Sequence, residues 1–127
     1  MNFLIVDDSG VMRRIHKNIL LDNNIDDSQI FEAENGEIAV KIAEKENIDL
    51  FLLDWNMPKV DGLKFVQIIR AIERYEDTPI IMITSEAAKY NVVDAISAGV
   101  TNYVVKPIKG DVLWEKISRY IKWKRSI

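Results

Sequence analysis

The sequence has no cysteine, a single histidine, three prolines and five glycines in 127 residues. Without cysteine there can be no disulfide framework, no thiolate zinc site and no cysteine nucleophile, and the chain is compatible with a reducing compartment. Few prolines and glycines argue against low-complexity or linker sequence. No apolar run approaches the roughly 20 residues that span a bilayer. The opening "MNFLIVDDSG" lacks a basic segment before its apolar run, so no signal peptide is expected. A formal net charge of −3 gives no reason to expect nucleic acid as a partner. The basic tail "KWKRS", Lys122 to Ser126, reads most simply as a solvated helix end whose cations suit the helix dipole.

What is present fits one soluble globular domain covering residues 1–127, with 48% hydrophobic and 29% charged residues. Two periods alternate along it. Short apolar runs are Phe3–Val6, Ile30–Ala33, Leu50–Leu53, Ile80–Ile83 and Tyr103–Val105. Between them lie stretches of helical spacing. Val11, Met12, Ile15, Ile19 and Leu20 are expected to share one face, as are Ile38, Ala39, Ile42 and Ala43. Leu63, Val66, Ile69 and Ile72 mark a third helix, Val92, Val93 and Ile96 a fourth, and Val112, Leu113, Ile117, Tyr120 and Ile121 a fifth. Alternation of this kind predicts βαβ units, and hence a (βα)5 α/β fold with a doubly wound parallel sheet. Runs apolar on both sides suit strands covered by helices on both faces. Ser9 is placed to cap the first helix, Asn35-Gly36 to turn the chain after the second strand, Pro79 to open the fourth strand, and Gly99 to stop the fourth helix.

The chemistry sits just past the apolar runs. Asp7 and Asp8 follow the first, Asp54 the third, Thr84 and Ser85 the fourth, and Lys106-Pro107 the fifth. In a parallel sheet those positions share one edge, the edge where ligands bind. Crowded carboxylates repel unless one is protonated or a cation sits between them. A hard divalent ion such as Mg²⁺ takes oxygen ligands and keeps positions open for phosphate oxygens. Lys106 can offset phosphoryl charge, the Thr84 hydroxyl can donate to it, and a carboxylate can accept the group covalently. Asp54, on the central strand, is best placed to accept. Each residue alone has a plainer explanation. The acidic pair could cap a helix, Asp54 could be a solvated strand end, Thr84 a β-branched strand residue and Lys106 an exposed lysine. The coincidence of all four strand ends carries the functional reading.

With "FLIVDDS", "LLDWNMPKVDG", "MITS" and "YVVKP" in place, the whole chain resembles the receiver domains of two-component signalling. "DWNMP" and "VMRRI" bring it closest to the single-domain chemotaxis members. The resemblance implies a flavodoxin-like fold with strand order 2-1-3-4-5. It implies Asp54 as phosphoacceptor, with Thr84 and Lys106 on the phosphoryl oxygens. Mg²⁺ would be held by Asp8, Asp54 and the Asn56 backbone carbonyl, with Asp7 acting through water. Lys106-Pro107 matches a cis peptide position, Tyr103 a switch aromatic coupled to Thr84, and Asn56 and Glu86 the positions that tune phosphoryl lifetime. The output surface would include Lys89, Tyr90, Tyr103, Val105 and Trp114.

The implied partners are a histidine kinase as donor, a protein target such as a flagellar motor switch protein, and a phosphatase. The protein would be a cytoplasmic monomer, and no enzyme beyond catalysing its own phosphorylation and dephosphorylation. With the chain ending after the fifth helix, output is expected through protein contact. A phosphorelay shuttle is the alternative within the class. A flavodoxin-like electron carrier would need a phosphate-binding loop where "VDDSGVM" instead places two acids, and a haloacid dehalogenase-like phosphatase would need its aspartates separated rather than adjacent. Trp114 and Trp123 read first as core packing or an apolar lid, and His16 as an exposed helix residue.

Overall fold

The computed structural model describes residues 1–55, 62–85 and 89–126. Five strands run as β1 (Phe3–Val6), β2 (Ile30–Ala33), β3 (Leu50–Asp54), β4 (Ile80–Thr84) and β5 (Asn102–Val105). Between and after them lie α1 (Gly10–Asp22), α2 (Gly36–Lys45), α3 (Gly62–Arg70), α4 (Lys89–Ala98) and α5 (Gly110–Ser126). Single turns of 3-10 helix precede β2 and β4. The sheet is parallel throughout, in the order β2-β1-β3-β4-β5 expected from the sequence.

Alternation along each strand sends side chains to two separate cores. Leu4, Val6, Phe51, Leu53, Ile80 and Met82 pack under α2, α3 and α4 with Ala39, Ala43, Phe65, Val66, Ile69 and Ala95. Phe3, Ile5, Leu50, Leu52, Ile81, Ile83 and Val104 pack under α1 and α5 with Leu20, Leu113, Ile117 and Ile121. This is why β1, β3 and β4 are buried at every position while the edge strand β5 buries only Val104. Phe51 anchors the larger core. Its ring meets Phe65 edge-on at 5.9 Å and Tyr75 at 5.4 Å.

The punctuation works as local chemistry predicts, with small shifts. The Ser9 hydroxyl accepts from the Met12 N–H at 3.2 Å. Asn35 is more than a turn residue: it is the N-cap of α2, its side chain accepting from the Ile38 N–H at 2.9 Å. β4 starts at Ile80, one residue after Pro79, whose carbonyl accepts from the Phe51 N–H at 3.0 Å. Gly99 ends α4 at φ +117°, a conformation that side chains resist. The Arg70 guanidinium binds the Gly99 carbonyl and also the Tyr75 and Thr78 carbonyls, which ties α3 to the ends of two connections. Helix α5 continues through the basic tail. There Lys124 pairs with Asp49, which also accepts from the Asn2 N–H at 2.7 Å. Burial works against the Asp49 charge, but Lys124 and the Asn2 N–H prevail and hold its carboxyl below the usual range.

One helix is rotated from expectation. In α1 the buried residues are His16 and Leu20, while Val11 is 72% exposed and Ile15 41% exposed. Val11 and Leu20 are nine positions apart, about half a turn out of phase at roughly 3.6 residues per turn, so they cannot share a face. Counting His16 as polar hid the true stripe. His16 is therefore a core residue, not an exposed one.

Phe51→Ala should cost about 3–5 kcal/mol of stability, measured as a lower urea midpoint at unchanged slope. A change below about 1 kcal/mol would mean the two-ring contact is not central to the core.

Candidate functional site at the carboxyl edge of the sheet

Register builds the site. Val6 lies opposite Leu53, Asp54 opposite Ile83, and Thr84 opposite Val105. The residues that end or follow β1, β3, β4 and β5 are therefore delivered side by side. The Lys106 N–H donates to the Thr84 carbonyl at 2.7 Å and the Asp7 N–H to the Ala33 carbonyl at 3.1 Å, which carries the parallel ladder one step beyond the strands. Lys106-Pro107 is a cis peptide, as the resemblance implied.

Asp7, Asp8 and Asp54 can each offer a carboxylate oxygen within 4.8 Å of the others. Asp7 and Asp54 are buried, and Asp8 is exposed. The Lys106 ammonium lies 3.2 Å from Asp54 Oδ1. Asp7 uses one oxygen to accept from the Ser9 N–H at 2.9 Å. Its other oxygen, Oδ2, is buried with no hydrogen-bond partner among the described residues. Burial pushes the Asp7 carboxyl up to about 6, aided by Asp54 and Asp8 and opposed by the Ser9 N–H and Lys106. An all-oxygen donor set with an orphaned carboxylate oxygen fits a hard divalent cation.

Thr84 ends β4 fully buried, its hydroxyl 3.4 Å from the Ser85 carbonyl. Tyr103 and Val105 stand outward on β5, 37% and 38% exposed. They line a groove with Pro107, Lys109, Val112 and Lys116. The Lys116 ammonium sits 5.3 Å from the centre of the Tyr103 ring and 2.6 Å from the Tyr103 carbonyl oxygen. Trp114 is on another side of α5, half-buried against Ile19, Asn23 and Gly110 near α1. Asn56 and Glu86 lie outside the described residues, as do the side chains of Lys89 and Tyr90.

Two neighbours of the site, Arg13 and Lys116, were not picked out from sequence. Arg13 donates to the Asp7 carbonyl at 2.7 Å and pairs with Glu32, tying α1 to the ends of β1 and β2. Lys116 reaches Tyr103 from thirteen positions away, a spacing without a local signal. Buried Trp55 lies over Gly62, where an added Cβ would come within 2.4 Å of the ring, so glycine there is a packing requirement.

A family model for the response regulator receiver domain matches residues 3–118. A chemotaxis protein CheY homolog from Campylobacter jejuni is 48% identical over 118 residues, spanning 92% of this chain and 89% of that protein. The Vibrio cholerae chemotaxis protein CheY4 superposes with a TM-score of 0.86 at 30% identity, covering 94% of this chain and 97% of its own. The receiver domain of a Pseudomonas aeruginosa sensor histidine kinase, solved with a magnesium ion coordinated in its active site cleft, gives 0.85 at 28% identity, covering 95% and 97%.

The raised Asp7 pKa links metal to pH. A carboxyl held above its unfolded value favours the folded state at low pH and loses that contribution as pH rises through about 6. In chelator the melting temperature should therefore fall as pH rises from about 4 to 7 through this group. Added divalent cation should raise the melting temperature more at pH 7 than at pH 5, because Asp7 must lose its proton to bind. An equal cation effect at both pH values would exclude Asp7 from the cation site.

Proposed function

Because the chain belongs to the response regulator receiver domain family, we propose that it is a phosphorylation-activated chemotaxis regulator that takes a phosphoryl group on Asp54. One observation carries this reading. A buried carboxylate at the end of the central strand is paired to the Lys106 ammonium and flanked by two further carboxylates. That is the arrangement for an acyl phosphate, with negative charge to be neutralised on every side.

In the proposed reaction an Asp54 oxygen attacks phosphorus in line with the donor's leaving group. The new P–O bond forms as the old bond to the donor breaks, and the donor keeps the electron pair. Lys106, already within hydrogen-bond reach of Asp54, follows the charge onto a phosphoryl oxygen. The buried Thr84 hydroxyl, 3.4 Å from the Ser85 carbonyl, can donate to a second oxygen. Mg²⁺ held by Asp7, Asp8 and Asp54 would neutralise charge and leave positions open for phosphoryl oxygens. Hydrolysis of the acyl phosphate returns the carboxylate. Catalysis of its own phosphorylation and dephosphorylation is the only chemistry assigned to the chain. A histidine kinase is the proposed donor, and the cytoplasm the proposed location.

Output is assigned to the groove beside β5. Tyr103, Val105 and Val112 give it an apolar floor, and Lys109 and Lys116 give it positive charge. Such a surface suits an acidic, amphipathic segment of a target, for which a flagellar motor switch protein is our proposal. A change at Thr84 can reach it, because Thr84 and Val105 are register partners on adjacent strands. That is a local charge event biasing a neighbouring element.

With acetyl phosphate and Mg²⁺ the protein should gain one acid-stable, base-labile phosphoryl group, lost in Asp54→Ala. Equal labelling of both proteins would overturn the assignment. Lys116→Glu should leave labelling unchanged but weaken motor-switch capture by the beryllofluoride-loaded protein by about tenfold or more. Undiminished capture would move the output surface elsewhere.

A further inference from the structure

Asp7 is pinned from several directions. Its N–H donates to the Ala33 carbonyl at 3.1 Å, and its Oδ1 accepts from the Ser9 N–H at 2.9 Å. Its own carbonyl accepts from Arg13 Nη1 at 2.7 Å. Its Oδ2 has no partner among the described residues and faces the neighbouring carboxylates. Ladder and loop geometry supply the first two bonds, but the third comes from a side chain on α1. That side chain is itself anchored. Arg13 Nε lies 3.3 Å from Glu32 Oε1 on β2, and Lys17 holds the other Glu32 oxygen at 3.7 Å. Arginine suits the place because its planar fork donates from two edges at once. Glu32 offsets the Arg13 charge, so the backbone is held without a bare cation beside the acids.

We propose that Arg13 is a positioning residue for the cation site: by holding the Asp7 carbonyl from α1, it keeps the Asp7 and Asp8 carboxylates converged on Asp54 before a divalent ion arrives. The Asp7 carbonyl belongs to the peptide unit that joins Asp7 to Asp8. That unit is planar, so fixing its carbonyl fixes the whole link between the two acids. Asp7, Asp8 and Asp54 offer carboxylate oxygens within 4.8 Å of one another. Such oxygens repel without a cation, and a turn of the Asp7–Asp8 peptide would draw two of them apart. Arg13 opposes that turn. Groups that orient metal ligands without touching the metal set affinity by about ten- to a hundredfold. Charge alone predicts the opposite sign, because removing a nearby cation should tighten a divalent ion. Positioning and repulsion therefore separate in one measurement.

The role rests on that edge being a Mg²⁺ site, and the experiment separates the two. Mg²⁺ titrations of wild type, Arg13→Met and Arg13→Lys are followed by the amide resonances of Asp7, Asp8 and Ser9, at a temperature where all three are folded in chelator. Arg13→Met removes the charge and both attachments, and its Mg²⁺ dissociation constant should rise about tenfold. Arg13→Lys keeps the charge and one donor group, and should recover part of that loss. Affinity in Arg13→Met equal to or tighter than wild type would overturn the proposal and leave Arg13 a bystander or a repelling charge.

The wild-type protein provides a second arm that needs no variant to fold. Its Arg13 guanidinium protons should exchange slowly with solvent in chelator as well as in Mg²⁺, because the clamp is formed before metal binds. Fast exchange in chelator, slowed only by Mg²⁺, would also overturn the proposal. Failure of wild type to bind Mg²⁺ at all would instead sink the cation reading, while exchange in chelator would still decide whether Arg13 holds the Asp7–Asp8 peptide.

Discussion

A carboxylate buried at the end of a β-strand is tolerable only with a positive partner, and Asp54 depends on that constraint. The ion is 3% exposed, and Lys106 reaches it from the far side of β4, across a strand that supplies only Thr84 between them. The pair exists because β3, β4 and β5 run parallel and in register, so their last residues arrive at one level. An antiparallel β5 would carry its own end, and the lysine after it, to the opposite edge. The two cores above and below the sheet hold that level fixed. Charge pairing and hydrophobic layering are thus one arrangement seen at two scales.

The same edge holds charge the pair does not balance. Asp7 and Asp8 add two more carboxylates beside Asp54. Asp7 meets this with one hydrogen bond to a backbone N–H and a raised pKa, and its second oxygen has no partner among the described residues. A protein under selection for stability alone would replace such a group. An unpaired buried oxygen beside two other carboxylates is a group that a bound cation would satisfy. His16 is a second buried group whose polar atoms have no hydrogen-bond partner among the described residues.

Much of this was legible in the chain because the periods differ so sharply. "FLIV" and "IIMI" read as strands covered on both sides, and both are fully buried. Asp7, Asp54, Thr84 and Lys106 were recognisable from their place just past such runs, since a strand end in a parallel sheet has a known edge. What failed was local and has a physical reason. α1 was assigned the wrong face because His16 was scored as polar, although it is buried together with Leu20. Trp114, which the resemblance groups with Tyr103 and Val105, stands on the side of α5 toward α1, a rotation the sequence pattern does not show. Lys116 was missed because its partner Tyr103 is on another element.

By itself the sequence determined the order of elements, their layering and the chemistry available at one edge. Hydrophobic period and capping residues are local signals, and local signals survive in one dimension. The tertiary structure alone decided which charges pair and which stay unsatisfied. Lys106 finds Asp54 across 52 positions, Lys124 finds Asp49 across 75, and His16 is buried with no hydrogen-bond partner among the described residues. Such outcomes depend on rotation and distance after packing, because the interaction between two groups falls with separation in space and not along the chain.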